Sequence, residues 1–379
     1  MLMSPPSTHF LGESALAEIL ERAAPILGRE DMAASSRTSD WMARFSDDTR
    51  LVDMNLPGTH DTATWDYTDS RQTELIKFTG PIRAAKYVRC QDRSLLQSLH
   101  DGIRVFDLRL GFNPGHETIG FYHGVAVLAP TTILQDVLFG LYAWLIAHPT
   151  ETILVSINHE AGSQTPQDKK FEEILYKTLN NDVGQKFWLP GAAELGKLGA
   201  ARGKLVLLQR FTYQSLESSP PANPHGIHLG ADRWTDNGAD IRLVYSEEPR
   251  RVAFIEDEYK PLVPSNSGAH QNISKKFEIV VAHLNQALGP PEDDDGDDDE
   301  PVEEGLHVTF CSAYADYKSL QPVTPDIMAM GNESTMGMNE RLLAWIRQVR
   351  KVEGKKRFGV VLLDFYHSEP ELVEAIIGL

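Results

Sequence analysis

His60 and Asp61 lie side by side in Leu56-Pro57-Gly58-Thr59-His60-Asp61-Thr62. An imidazole held at the end of a core strand can take up or release a proton near neutral pH. By itself such a pair is most simply a turn in which the aspartate caps a loop. Three distant segments have the same form, however. Gly102–Leu110 is apolar at first and then carries Asp107 and Arg109, whose two-residue spacing puts both on one face of a strand. Thr118–Gly124 is an apolar run ending on His123, and Phe358–Phe365 is a near-continuous apolar run ending on Asp364. Two imidazoles, three carboxylates and a guanidinium would supply a proton acceptor, a proton donor and a cation.

The elements that must position these groups are strands. Leu51–Leu56 reads as a short strand that Pro57 and Gly58 end, since proline lacks an N–H and glycine tolerates unusual dihedrals. Further strands are expected at Thr152–Ile157, Lys204–Gln209, Val252–Ile255 and His307–Phe310. Ile133–His148 and Gly337–Lys351 carry apolar residues at helical spacing. About eight strands alternating with helices over roughly 340 residues suit a single parallel α/β barrel, whose active site forms at the carboxyl ends of the strands. Ahead of it, residues 1–40 read as a helical extension: Leu16, Ile19, Leu20 and Ala23 share a stripe within Glu13–Ala24, and Pro25 ends the pattern. The polar face of that helix lacks the lysines of a membrane anchor, which favours packing against the barrel.

Composition narrows the function classes. The 41% hydrophobic and 24% charged residues are an ordinary composition for a soluble globular protein. No run of about 18 apolar residues exists to cross a bilayer, and Met1–Pro6 has neither the basic start nor the apolar core of a secretory signal. The expected localisation is cytoplasmic or peripheral to a membrane. Cys90 and Cys311 cannot build a disulfide framework and read as buried thiols. Glu292–Glu304 holds ten acidic residues and no basic one, more than half of the net charge of −18. So dense a run repels itself, and about 289–305 is expected to be a disordered surface insertion; its spacing does not fit an EF-hand loop. The overall acidity argues against nucleic acid and against binding strongly anionic membranes through bulk charge.

In this order and spacing the segments resemble the phosphatidylinositol-specific phospholipase C family, specifically the bacterial-type enzymes built on the X domain. The resemblance runs from about Trp41 to the C-terminus and implies a distorted, partly open (β/α)8 TIM-type barrel over 41–379. It further implies cleavage of phosphatidylinositol by attack of the inositol 2-hydroxyl, giving diacylglycerol and inositol 1,2-cyclic phosphate. In that reading His60 is the general base, oriented by Asp364. His123 is the general acid, paired with Asp61. Arg109 stabilises the phosphoryl charge, its planar fork suiting that geometry, and Asp107 positions the assembly. Arg210, at the end of Gly203–Arg210, and Asp257 would bind inositol hydroxyls, with Tyr259 stacking near the ring. Asn158 stands where the bacterial enzymes carry a lysine, which removes a charge from headgroup binding.

The calcium-dependent relatives carry an acidic residue at the position of Arg109, so the guanidinium implies a metal-independent enzyme with no cofactor. Asp61, Asp107 and Glu160 are nonetheless ligands of the type calcium uses, and calcium is the alternative. The expected partner is phosphatidylinositol in membranes, met through transient surface contact by a monomer. Met328, Met330 and Met336, which follow the aromatic pair Tyr314 and Tyr317, suit either a rim touching lipid or irregular loop packing. Two rival readings stand beside the leading one. A calcium-dependent phosphodiesterase of the same fold would lose activity to a chelator. A silent inositol-lipid-binding module would bind without turnover.

Overall fold

Eight parallel strands line the centre of the molecule: β1 (Leu56–Thr59), β2 (Val105–Phe112), β3 (Ile153–His159), β4 (Leu205–Arg210), β5 (Ile227–His228), β6 (Arg250–Glu256), β7 (Gly305–Phe310) and β8 (Val360–Leu363). The computed structural model describes residues 8–192, 194–216, 224–289, 305–315, 321–352 and 356–379. The strands read as continuous Val, Ile and Leu runs because both faces are buried, one by the barrel interior and the other by helices. Around the sheet the order is β5-β4-β3-β2-β1-β8-β7-β6, which is chain order with one interruption. The path ends on β5 at one side. At the other, an antiparallel strand, Ile241–Glu247, pairs with β6. The architecture is therefore a distorted (β/α)8 barrel, partly open between β5 and β6.

Register fixes what faces what at the carboxyl end. Thr59 pairs with Leu363 on β8 and with Phe106 on β2, so His60 and Asp364 follow their strands at one level. Arg109, Asn158 and Arg210 lie in register on β2, β3 and β4. Three sequence-based expectations need correction here. Leu51–Asp53 is a single 3₁₀ turn, and Pro57 and Gly58 lie inside β1 rather than ending it. At the strand's entry Pro57 needs only its carbonyl, which accepts from Arg104 N at 2.9 Å. Gly58 is required because a Cβ there would meet Leu362 Cδ2 at 2.7 Å and Val105 O at 2.8 Å.

Ile119–His123 is also not a barrel strand. It folds back antiparallel on the end of β2, pairing Leu110 with Phe121, and forms a short ribbon with Ala126–Val127. The eighth parallel strand is instead Ile227–His228, two residues long and so too short to show a period of two. Finally, the first helix runs Thr8–Leu27, through Pro25. Proline in the last turn forfeits one intrahelical bond, and Gly28, at φ 98°, closes the helix by donating to Ala24 O. This helix packs on Leu134–Ala147. Leu27 fits against Gly140, where a Cβ would collide with it, and Arg22 pairs with Asp136 at 2.8 Å. The acidic run Glu292–Glu304 and Tyr317 lie outside the described residues.

Two fully buried ion pairs brace the frame. Arg104 Nη2 bonds Glu151 Oε2 at 2.7 Å. Lys276, on helix Ala269–Leu288, donates to Glu256 Oε1 at 2.6 Å and to the Glu258 carbonyl at 2.9 Å, which ties down the loop carrying Asp257.

Candidate active site

At the end of β1 the chain turns sharply. Asp61 adopts a left-handed backbone, φ 42° and ψ 51°, and precedes the 3₁₀ turn Thr62–Thr64. The conformation is uncommon away from glycine, though aspartate tolerates it. It is held from several sides. Thr62 Oγ1 accepts from Asp107 N at 3.0 Å, Asp61 N donates to Asp107 Oδ2 at 3.2 Å, and Gln91 Nε2 donates to both His60 O and Leu363 O. This turn brings the His60 and Asp61 side chains into contact.

The charged groups then form one connected set. His60 Nδ1 bonds Asp364 Oδ1 at 2.8 Å, and its Nε2 lies 3.1 Å from Asp61 Oδ2. His123 Nδ1 lies 2.6 Å from the Val88 carbonyl, and its Nε2 sits 3.4 Å from the same Asp61 oxygen. Arg109 Nε contacts Asp61 Oδ1 and Asp107 Oδ2, each at 3.1 Å, with Glu160 at 3.7 Å from its Nη1. Asp61 thus stands between two imidazoles and a guanidinium, rather than serving His123 alone. Asp61, Asp107 and Asp364 are all buried.

Electrostatics separate the two histidines. Burial alone would depress His60, but Asp364 and Asp61 outweigh it and hold the imidazolium well above its usual range. His123 goes the other way. Burial lowers it, Asp61 opposes, and Arg109, His60 and Arg83 add like-charge repulsion. Burial would raise Asp61, yet Arg109 and the histidines keep it below the usual carboxylate range. Burial lifts Asp364. Arg109 would be weakened by burial, but its carboxylates hold it firmly charged.

These groups open onto a cavity of about 470 Å³ lined by His60, Arg109, His123, Asn158, Arg210, Asp257, Tyr259 and Asp364. Eight of the ten expected site residues therefore line one space, and the other two, Asp61 and Asp107, lie directly beneath it. Arg210 Nη1 reaches Asp107 Oδ1 at 3.3 Å, and Asp257 Oδ2 is 4.0 Å from Arg210 Nη2. Tyr259 donates to Asp236 Oδ1 at 2.7 Å and stacks on Tyr314, ring centroids 6.1 Å apart. Among the described residues, two buried acceptors in the wall have no partner, Asn158 Oδ1 and Ser312 Oγ. Buried polar atoms rarely stay unpaired, so both are poised to take a hydroxyl. His159 lies edge-on to Phe171 at 5.0 Å and also borders the cavity.

Several contributors carry no pattern in the sequence. Trp234 donates to Asp257 Oδ2 at 2.8 Å and stacks under the Arg210 guanidinium at 3.8 Å, yet it lies in an irregular loop with no periodicity to mark it. Cys90 reaches to 3.9 Å from His123 Nδ1; burial pushes its thiol up to about 12, so it stays protonated. Among the described residues, one trio could hold a metal: His60, Asp61 and Cys90 each offer a ligand atom within 4.8 Å of the others. A protonated thiol, and a carboxylate already paired with Arg109, fit a cation poorly. Met328 is buried, while Met330 and Met336 are exposed beyond the cavity.

Residues 81–211 match the family described as phosphatidylinositol-specific phospholipase C, X domain. A 1-phosphatidylinositol phosphodiesterase of Staphylococcus aureus (strain Newman) is 26% identical over 265 residues, covering 67% of this chain and 77% of the relative. One from Listeria monocytogenes is 29% identical over 225 residues, 56% of this chain and 62% of the relative. In three dimensions, a double mutant of the S. aureus phosphatidylinositol-specific phospholipase C superimposes with a TM-score of 0.64 at 20% identity, covering 91% of this chain and 98% of that one. The L. monocytogenes enzyme superimposes with a TM-score of 0.59 at 21% identity, over 90% and 98%. The matched stretch carries Asp107, Arg109, His123, Asn158 and Arg210, the residues that β2, its antiparallel ribbon, β3 and β4 bring to the cavity. Residues 81–211 thus match the phosphatidylinositol-specific phospholipase C X domain, and the barrel is shared with these solved structures across nearly the whole chain.

Proposed function

We propose that the protein cleaves phosphatidylinositol to diacylglycerol and inositol 1,2-cyclic phosphate without a metal. The observation that carries this reading is the convergence of His60, His123 and Arg109 on one carboxylate, Asp61, at the floor of a polar cavity. His60 Nε2 takes the proton of the inositol 2-hydroxyl as that oxygen bonds to phosphorus. The bond from phosphorus to the glycerol oxygen breaks, and His123 Nε2 supplies the leaving oxygen with its proton. Arg109 faces the charge that builds on the non-bridging oxygens, and Asp107 and Asp61 fix its fork. Asp364 keeps the His60 proton on Nδ1, which leaves Nε2 free as the base.

In the unliganded site His60 is the more basic imidazole and His123 the less. The working form, with the proton on His123, is therefore a minority of the singly protonated pair. Arg210, Asp257, Asn158 and Tyr259 form the headgroup subsite. A carboxylate and a guanidinium bridging neighbouring hydroxyls choose a polyol over choline or ethanolamine, and the unpartnered Asn158 Oδ1 adds an acceptor in place of a charge. The metal-free reading rests on Arg109, whose guanidinium fills the place between Asp61 and Asp107 that a divalent cation would take. No described helix is long and apolar enough to cross a membrane, so the substrate would be met at the bilayer surface. The test is diacylglycerol release from mixed phosphatidylinositol–phosphatidylcholine vesicles in excess EDTA. Release from the inositol lipid alone, abolished in His60→Ala, is expected. Binding without release would favour a silent lipid-binding module, and release only after calcium is restored would assign the reaction to the metal.

A further inference from the structure

Next to the catalytic cavity lies a second, larger one of about 1040 Å³. The two share walls at Arg83, Tyr87 and Gly124, so they adjoin. The junction falls immediately after His123, the group assigned to protonate the leaving oxygen. Beyond it the walls include Phe78, Ile82, Phe112, Tyr122 and Val125. Phe78 and Val125 are 43% and 36% exposed, large apolar surface left open to solvent. Tyr122 turns its ring to the groove because its hydroxyl is committed to the Phe112 carbonyl at 2.6 Å. The junction itself is charged. Arg83 makes no ion pair among the described residues, and its guanidinium lies 5.7 Å from the Tyr314 ring. Arg109 and Arg210, by contrast, are each held by carboxylates. An unneutralised cation followed by an apolar trough is complementary to a phosphodiester followed by a glyceride.

We propose that this second cavity is the leaving-group subsite, with Arg83 on the phosphodiester and one acyl chain of the same lipid molecule laid along Ile82, Phe78 and Val125. The inference rests on the phospholipase reading given above and deepens it. An acyl chain gains nothing by leaving a bilayer for an equally apolar groove, but it gains on leaving water. The subsite therefore shows itself with monomeric substrate. Each methylene taken from water is worth about 0.8 kcal/mol, close to a fourfold gain in kcat/KM per methylene fully covered.

The experiment measures kcat/KM for diacyl phosphatidylinositols of rising chain length, all below their micelle-forming concentration, with glycerophosphoinositol as the chainless reference. For the intact protein a stepwise rise of two- to fourfold per methylene is expected, levelling off once the groove is full. Val125→Asp and Ile82→Asp, made separately, should each flatten that slope. Turnover of every substrate at one kcat/KM would overturn the subsite and leave the phospholipase reading standing, with the apolar rim facing the bilayer instead. A slope that survives in both variants would also overturn it. Absence of turnover on any inositol lipid would overturn the phospholipase reading, and the subsite with it.

Discussion

Replacing Asp364 by asparagine removes one of the two carboxylates that hold the His60 imidazolium, at 2.8 Å, while changing the side chain's shape little. Because kcat/KM reports the free enzyme, its pH profile reflects the unliganded site. On the proposed mechanism one proton shared between the two imidazoles is the working state, so a bell-shaped profile is expected. The acid limb follows the less basic His123, below 6.5, and the alkaline limb follows His60, well above 6.5. In Asp364→Asn, burial of His60 is opposed by Asp61 alone, so the alkaline limb moves to lower pH. The acid limb moves less, since burial, Asp61, Arg109, His60 and Arg83 act on His123 ahead of Asp364. The height falls too. The new amide can turn its NH₂ toward Nδ1, which favours the tautomer that carries its proton on Nε2 and cannot act as base. A loss of roughly 10²- to 10⁴-fold is expected, about 2.7–5.4 kcal/mol in the barrier at 1.36 kcal/mol per tenfold. The linked stability has a definite sign. A histidine raised in the folded state contributes stability fully present below its unfolded pKa, and that contribution is lost as pH rises through the folded value. The variant should therefore lose most stability in acid, measured by urea unfolding across pH. An alkaline limb that stays where it was would refute the role given to Asp364.

Arg109→Lys keeps a charge but not the fork on Asp61 and Asp107, and should cost about 10²- to 10³-fold in kcat/KM with no rescue by calcium, read from the same diacylglycerol assay. Lys276→Met strands Glu256 in the interior and should cost roughly 3–5 kcal/mol in urea unfolding. KM for the inositol headgroup should rise with it, because the loop carrying Asp257 loses its tie. Gly58→Ala forces a Cβ against Val105 and Leu362 inside β1 and should destabilise the fold by roughly 1–3 kcal/mol, seen as a lower urea midpoint.

The sequence made the strand ends visible because the chemistry and the burial share an address there. Phe358–Leu363 and Val105–Leu110 are buried on both faces, so an unbroken apolar run that stops at Asp364, or that admits Asp107 and Arg109, is a plain signal. His123 was legible as a strand-end histidine even though its strand is an antiparallel ribbon, since apolar runs do not reveal the direction of pairing. Ile227–His228 was not legible, because two residues cannot display alternation. Gly58 misled for another reason. Glycine usually marks a turn, but here it clears room for Val105 and Leu362 between tightly spaced strands. The role of Asp61 was half legible. Adjacency to His60 was evident, whereas its place between both imidazoles and Arg109 depends on a left-handed turn that only the fold around Asp107 imposes. Trp234 and Arg83 lie in irregular segments, where no periodic pattern points a side chain at the site.

The central claim is that the substrate's own hydroxyl displaces the glycerol oxygen, with His60 as base and no metal. Phosphorus NMR of the protein with phosphatidylinositol vesicles in excess EDTA, beside His60→Ala, tests it most directly. The account predicts the cyclic inositol phosphate resonance growing with the intact protein and absent from the variant. A product that forms only when calcium is returned, or one that forms equally with His60→Ala, would contradict it.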